Sequence, residues 1–386
     1  MKRDLEGGIE RLFWGVSEVI NEESLRERLR SGKKLRVKFG IDPTSPKIHL
    51  GHLVPLLKLR QLQEMGHKVI LLIGDFTAMI GDPSDRETVR KQISETEVKA
   101  NMKTYIKQVG KVLDMKKTEV AYNSKWLKKS LSDTLSILKE ASLQQVLHRA
   151  DIKKRMEAGN EISLLEILYP VFQGYDSVAL KADIEIGATD QKFNLLMGRQ
   201  LQKRQGQKEQ DVIMMPLLLG LDGMKKMSKS FQNDIGVEEE PNEVFGKVMR
   251  IPDELMPSYF ELLTDEIFDR GQSPRNEKLR LATLIVARLH DAKKAEKARE
   301  HFISVFSKKE VPGEIKEVQV RVSSLSIIEA LLVCGVASRG EARRLILQKG
   351  VRVNQRVVES DKEEIGIGKE GVEVQVGKRG FFRLRS

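Results

Sequence analysis

The segment Leu35-Arg-Val-Lys-Phe-Gly-Ile41 alternates apolar residues with others, as a strand with two distinct faces does. Pro43 and Pro46 interrupt it. Leu53, Leu56, Leu57 and Leu62 then recur near a 3.6-residue period, with Gly66 where a helix would stop. Val69-Ile-Leu-Leu-Ile73 follows, a continuous apolar run of the kind found in a strand buried on both faces. Parallel strands need a crossover, and a helix supplies it, so strand, helix, strand in this order predicts a βαβ unit of a doubly wound parallel sheet.

Around this unit the 386 residues divide by pattern. At about 100–200 residues per domain, the length predicts two or three domains. Residues 1–232 read as a Rossmann-like α/β domain. It includes a charged, mainly helical insert near 125–160, a helix from Ile162 to about Ala182, a strand from Ile184 to Gly187, and an apolar strand from Val212 to Leu219. Residues 233–318 show helix after helix, and Pro312-Gly313 reads as a linker. Residues 322–386 read as a small α+β module. Two short helices (Leu325–Val333, Ser338–Gln348) precede strands at Val351–Asn354, Val372–Val376 and Phe381–Arg385.

From Arg339 onward 12 Lys and Arg face 7 Asp and Glu, a difference of 5, within a chain of net charge +11. That excess favours a polyanionic partner such as nucleic acid, although most basic side chains serve solvated faces in any protein. No apolar run approaches the ~20 residues of a membrane span, so no membrane partner is expected. The start, Met-Lys-Arg-Asp-Leu-Glu, lacks the apolar core of a secretory signal, and the one cysteine, Cys334, allows no disulfide framework within a chain. The expected location is the cytoplasm.

Two familiar nucleotide signatures are missing, the Gly-x-x-x-x-Gly-Lys-Ser/Thr loop and Gly-x-Gly-x-x-Gly after the first strand. In their place stands Asp42-Pro-Thr-Ser-Pro-Lys-Ile-His49-Leu-Gly51-His52, which puts two imidazoles and a glycine at a helix N-terminus, where phosphate is attracted. Late in the chain, Lys226-Met-Ser-Lys229-Ser230 lies in a Gly-flanked loop, where two lysines could fold over a triphosphate. Alone, the first reads equally well as two surface histidines at a helix cap, and the second reads more readily as solvated surface. Together, each after a strand of one α/β domain, they rarely arise by chance.

The pair resembles the signatures of the class I aminoacyl-tRNA synthetases, and the bacterial tyrosyl-tRNA synthetases in particular. That likeness extends to Gly40-Ile-Asp42-Pro-Thr44, Gly81-Asp82-Pro-Ser84, Tyr169-Pro-Val-Phe-Gln173-Gly-Tyr-Asp176 and Gly187-Ala-Thr-Asp190-Gln191. It implies ligation of tyrosine to tRNA(Tyr) through a tyrosyl-adenylate made from ATP. Asp190 would hold the ATP ribose. Gly51 and Ser230 would adjoin the nucleotide, and Thr44, His49, His52, Lys226 and Lys229 would meet its phosphates. Arg86 and Arg90 would lie near the leaving pyrophosphate. The chemistry suits these residues: the amino-acid carboxylate is already a nucleophile, so the site must supply alignment and positive charge rather than a base. Mg2+ is expected to come with ATP, without a metal cage of the protein's own.

Tyr169, Gln173 and Asp176 fall at i, i+4 and i+7, a polar stripe on a helix whose other residues include Leu165, Leu168, Phe172 and Leu180. Such a stripe also suits an exposed helix face. By the resemblance, Tyr169, Gln173 and Asp82 would meet the tyrosine ammonium and Asp176 its phenol, while Gly40, Asp42 and Gln191 complete the wall. Many tyrosyl enzymes have a tyrosine where this chain has Lys38. Alternation puts Lys38 on the face of Gly40 and Asp42, so it is expected at the phenol end, bonding the phenol or pairing with Asp176, or else passing the site into water. A tryptophanyl-tRNA synthetase, or an RNA-binding or splicing protein with a vestigial site, are the rival readings. The basic C-terminal module resembles an S4-type RNA-binding domain, with Arg339, Arg343, Arg344, Arg352 and Arg356 as its phosphate contacts. By the same resemblance 233–318 would be the anticodon-binding bundle, and the insert near 125–160 would join two copies as a homodimer.

Overall fold

The structure, a computed structural model, describes residues 2–84, 93–306, 316–320, 322–354, 356–368, 371–377 and 380–385. Its chain forms two compact units, Met1–Ala298 and Arg299–Ser386.

The first unit is built on a six-stranded sheet of β1 (Glu18–Ile20), β2 (Arg36–Ile41), β3 (Lys68–Ile73), β4 (Thr118–Tyr122), β5 (Ile184–Ala188) and β6 (Asp211–Met215). The order is β1-β6-β5-β2-β3-β4. Strands β2 to β6 run parallel, and β1 joins β6 antiparallel at the edge. The expected βαβ unit is present: β2 and β3 pair from Arg36↔Lys68 to Ile41↔Ile73, joined by the helix Leu50–Glu64. Burial of Val37, Val69, Ile70, Leu71 and Ile73 explains their apolar runs. After β4 the chain crosses back to add β5 beside β2. The strand order reverses there, which opens a crevice at the carboxyl ends of β2 and β5. The loops after β2, β3, β5 and β6 carry Asp42 to His52, Gly81 to Ser84, Asp190 with Gln191, and Lys226 to Ser230, while the helix Leu164–Leu180 carries Tyr169, Gln173 and Asp176.

Strand β6 ends at Met215 rather than Leu219, because Pro216 removes a ladder donor. The helices Pro241–Val248, Met256–Leu263 and Pro274–Leu289 lie in the same compact unit as the sheet.

The second unit has a five-stranded sheet of order β10-β9-β12-β13-β7, with a two-stranded ribbon β11-β8. Its strands are β7 (Lys316–Gln319), β8 (Ser324–Ser326), β9 (Val351–Val353), β10 (Arg356–Val357), β11 (Glu364–Gly366), β12 (Val372–Val376) and β13 (Gly380–Arg385). The helices Ile327–Val333 and Arg339–Leu347 bury Ile327, Leu331, Ala342 and Ile346 in one core with Val351, Val374 and Leu384. Strand β7 pairs parallel with β13, so this sheet begins at Lys316, ahead of the boundary expected at 322. The expected linker Pro312-Gly313 lies outside the described residues.

Candidate active site

The ends of β2, β3 and β4 and one helix converge on one end of the crevice. The helix Leu164–Leu180 starts at a capping box between Ser163 and Glu166, and it lays Tyr169, Gln173 and Asp176 along the sheet edge. The Tyr169 hydroxyl donates to Asp42 Oδ2 at 3.0 Å, and Thr77 Oγ1 donates to Asp42 Oδ1 at 2.8 Å. Burial, and then the charges of Asp42 and Asp82, raise the Tyr169 phenol well above its usual range, which keeps it a proton donor. A Cβ on Gly74 would lie 1.9 Å from Asp42 Oδ1, so only glycine lets the chain pass behind this carboxylate. Gly40 is the one exposed position of β2 and leaves the strand open there.

Asp176 is buried. Trp126 Nε1 donates to its Oδ1 at 2.7 Å and Asn123 Nδ2 to its Oδ2 at 3.3 Å. Burial pushes the carboxyl up to about 7, against the lowering effects of Lys38, Trp126 and Asn123. Asn123 also donates to Thr77 Oγ1 at 2.9 Å, which links the Asp176 and Asp42 networks.

Lys38 points to this face, as alternation required, but it neither reaches water nor pairs with Asp176. The helix Leu164–Leu180 covers it completely. Its ammonium pairs with Glu185 Oε1 at 2.8 Å and donates to Ser177 Oγ at 2.8 Å and to the Gln173 carbonyl at 3.4 Å. A buried ammonium must be matched by a charge and hydrogen bonds. Glu185 of β5 provides the charge because β5 lies next to β2 in the sheet.

A second polar chain runs along the other wall. Gln191 Nε2 donates to Asp82 Oδ2 at 2.6 Å, and Asn194 Nδ2 donates to Gln173 Oε1 at 2.8 Å and Gln191 Oε1 at 3.0 Å. Arg149 fixes this chain from behind, donating to Asn194 Oδ1 and Ser84 Oγ, each at 3.1 Å. Asn194 and Arg149, like Thr77, Asn123 and Trp126, carry no local sequence signal; each is a single residue brought in by the topology.

At the nucleotide end, His49 caps the helix Leu50–Glu64. The Gly51 N–H donates to His49 Nδ1 and the His49 N–H to His52 Nδ1, both at 3.2 Å. The ring centroids are 4.0 Å apart. Burial first, then the neighbouring imidazole and Lys229, lowers His49 to about 2; burial, with Lys229, lowers His52 to about 4. Both are therefore neutral near pH 7. Because each Nδ1 accepts, the proton sits on Nε2. The histidines thus offer N–H donors, not the positive charge expected of them. Thr44 is half-buried just after β2, its N–H donating to the Asp42 carbonyl at 2.8 Å.

Asp190 and Gln191 occupy the 3-10 turn Thr189–Gln191 after β5. The Lys226 ammonium pairs with Asp190 Oδ2 at 2.7 Å, which brings the expected phosphate and ribose ligands together. Ser230 donates its N–H to Ser228 Oγ at 3.3 Å. Burial and Lys47 lower the Lys229 ammonium while Asp234 raises it. It borders a cavity of about 570 Å³ that Lys47, Asp234, Lys247 and Arg250 also line. Arg86 and Arg90 lie outside the described residues.

In the second unit, Arg339, Arg343 and Arg344 sit exposed on one helix; on the β9–β10 hairpin Arg356 is exposed and Arg352 half-buried. Arg343 meets Asp361 at 3.1 Å and Arg356 meets Glu363 at 2.6 Å. Exposed ion pairs of this kind are weak and exchange readily for phosphate.

Residues 30–307 match the family described as tRNA synthetases class I (W and Y), and residues 330–370 match the S4 domain. The chain is 46% identical over 394 residues to a tyrosine–tRNA ligase of Shewanella oneidensis, covering 99% of each. It is 47% identical over 382 residues to that of Francisella tularensis, covering 96% of each. The tyrosyl-tRNA synthetase of Archaeoglobus fulgidus, solved with L-tyrosine, shares the fold at TM-score 0.62 and 22% identity, over 77% of this chain and 100% of that one. The truncated mitochondrial enzyme of Aspergillus nidulans gives 0.64 at 22% identity, over 78% and 94%.

Proposed function

The chain belongs to the class I tRNA synthetase family of the tryptophan and tyrosine enzymes, among its tyrosine–tRNA ligases, and from that premise we propose how its residues share the work. It is an ATP-dependent ligase that activates tyrosine to tyrosyl-adenylate, releasing pyrophosphate, and passes tyrosine to the terminal ribose of tRNA(Tyr). The observation that supports tyrosine over tryptophan is Asp176. Its carboxylate is buried at the far end of the pocket, held by Trp126 and Asn123, and poised to accept a phenol proton. Asp42 with Tyr169, and Asp82 with Gln191 and Gln173, form the anionic and polar wall for the ammonium.

The tyrosine carboxylate attacks the α-phosphorus, and the bond to the pyrophosphate oxygen breaks. No base is needed. His49 and His52 donate Nε2–H to phosphate oxygens, while Lys226 and Lys229 carry the charge that offsets what develops on them. Asp190 binds the ribose, which frees Lys226 from it. Among the described residues no group of three or more His, Cys, Asp or Glu could hold a metal. Mg2+ would accompany ATP and add positive charge at its phosphates.

The arginines of the second unit bind tRNA phosphates, fixing register more than sequence. A homodimer forms through the insert, where Leu131, Leu135 and Leu143 are 56–74% exposed, an apolar surface that a monomer would seldom leave bare. Sedimentation should give a dimer; a monomer at micromolar concentration would contradict it. Among the described residues no helix is long and apolar enough to cross a membrane, and the enzyme works in the cytoplasm. The test of the phosphate assignment is Lys229→Ala. It should leave tyrosine affinity unchanged and slow single-turnover adenylation by ~10²-fold, the usual cost of one group of this kind. A rate within about threefold of wild type would remove Lys229 from the mechanism.

A further inference from the structure

Two lysines on a loop offset charge in a transition state only where the loop backbone aims them at the phosphates. The loop after β6 folds back on itself. Leu219 bridges Lys226, the Met227 N–H donates to the Leu218 carbonyl at 2.7 Å, and the Gly220 N–H donates to the Lys225 carbonyl at 2.9 Å. The buried Tyr259, on the helix Met256–Leu263, donates its hydroxyl to the Leu219 carbonyl at 2.7 Å. These bonds fix the hairpin as far as Lys226 and Met227; the stretch from Ser228 to Lys229 lies beyond them.

Asn233, which lies just beyond the signature, holds that stretch. It is 3% exposed. Its Nδ2 donates to Asp222 Oδ2 at 3.0 Å, to the Lys226 carbonyl at 3.2 Å and, more weakly, to the Lys225 carbonyl at 3.4 Å. Its Oδ1 accepts the Ser228 N–H at 2.8 Å, and its own carbonyl accepts the Leu221 N–H at 2.9 Å. One planar amide thus grips the backbone at Lys226 and at the residue before Lys229. A Cβ on Gly220 would stand 2.2 Å from the Asn233 amide carbon, so the loop's first residue is glycine in order to admit this side chain. A carboxamide is the small group that supplies two donors and an acceptor together. Aspartate at 233 would turn a carboxylate towards Asp222 and two carbonyls.

We propose that Asn233 is a positioning residue for adenylation, fixing Lys226 and Lys229 over the phosphates without touching substrate. The proposal rests on the role given above to Lys229. The test is a double-mutant cycle on single-turnover adenylate formation, using Lys229→Ala, Asn233→Ala, Asn233→Asp and the two double variants, with tyrosine Kd measured for each. Misplacing a catalytic group by about 1 Å can cost ~10²-fold. Each Asn233 variant should therefore slow adenylation at least ~10-fold with tyrosine Kd unchanged. Lys229→Ala should cost ~10²-fold in the wild type and less than ~10-fold beside either Asn233 change, because a displaced lysine has little left to lose.

Equal costs of Lys229→Ala in all backgrounds would overturn the proposal, as would Asn233 variants within about twofold of wild type. Loss of tyrosine binding in both Asn233 variants would also overturn it, since Asn233 would then serve the fold at large. If Lys229→Ala alone is harmless, the fault lies with the reading of Lys229 instead.

Discussion

Lowering the pH from about 8 to about 6 should weaken tyrosine binding roughly tenfold through one carboxylate, Asp176. Burial lifts this group from an ordinary 3.8 to about 7. The groups facing it are Lys38, Trp126 and Asn123, which favour the anion, and Glu185, which opposes it. The sign follows from the direction of the shift. Above about pH 4 the unfolded chain ionises Asp176 while the folded one does not, so the ligand-free protein loses about 1.4 kcal/mol of stability per pH unit, some ~4 kcal/mol by about pH 7, and no more beyond. Tyrosine reverses the preference, because its phenol donates best to the ionised form. With a group titrating near 7 and only the anion binding well, the bound-competent fraction falls about tenfold between those two pH values. The assay is the pH profile of kcat/KM for tyrosine in pyrophosphate exchange, which reports groups of the free enzyme. Phenylalanine, with no hydroxyl to donate, should show no such break, and Asp176→Asn should flatten the tyrosine profile. Lys38→Met with Glu185→Gln removes the buried pair without stranding one charge, and should move the break to higher pH. A flat wild-type profile, or the same break in Asp176→Asn, would refute the reasoning.

Gly74→Ala would set a methyl 1.9 Å from Asp42 Oδ1 and 2.4 Å from Thr77 Oγ1, displacing the partner of Tyr169. Tyrosine Kd should rise at least ~10-fold, the value of a charged hydrogen bond, and an unchanged Kd would take Asp42 out of the pocket wall. A chain ending at Phe306 stops before β7 and removes the C-terminal sheet whole. It should still form adenylate but charge tRNA poorly; undiminished charging at ~0.15 M salt would contradict the division of labour.

The elements legible in the sequence are those whose cause is local. The β2–helix–β3 unit announces itself because its strands bury long apolar runs. Strands β1 and β4 escaped notice because they are short edge strands, and β7, Lys-Glu-Val-Gln, has only one apolar residue to betray it. The signature residues His49, His52, Lys226 and Lys229 are contiguous motifs, so they could be read. The supports of the pocket could not: Thr77, Asn123 with Trp126, Arg149 and Asn194 come from four places and meet only through the strand order. Lys38 shows where pattern stops. Alternation gave its face, but not that a helix would cover it or that Glu185 would be its partner. The neutral state of the two histidines was equally hidden, because it depends on burial that no motif encodes.

The most direct test of the central claim, that this pocket selects tyrosine through Asp176, is ATP–pyrophosphate exchange with tyrosine, phenylalanine and tryptophan in the wild type and in Asp176→Ala. Tyrosine alone should drive exchange at low concentration in the wild type. Rejection of phenylalanine should be of the order of 10⁴–10⁵, a magnitude for which this enzyme family is itself the reference case. Asp176→Ala should collapse that ratio by slowing tyrosine, not by improving phenylalanine. Exchange driven equally by tryptophan, or a tyrosine-to-phenylalanine ratio unchanged in Asp176→Ala, would contradict the claim.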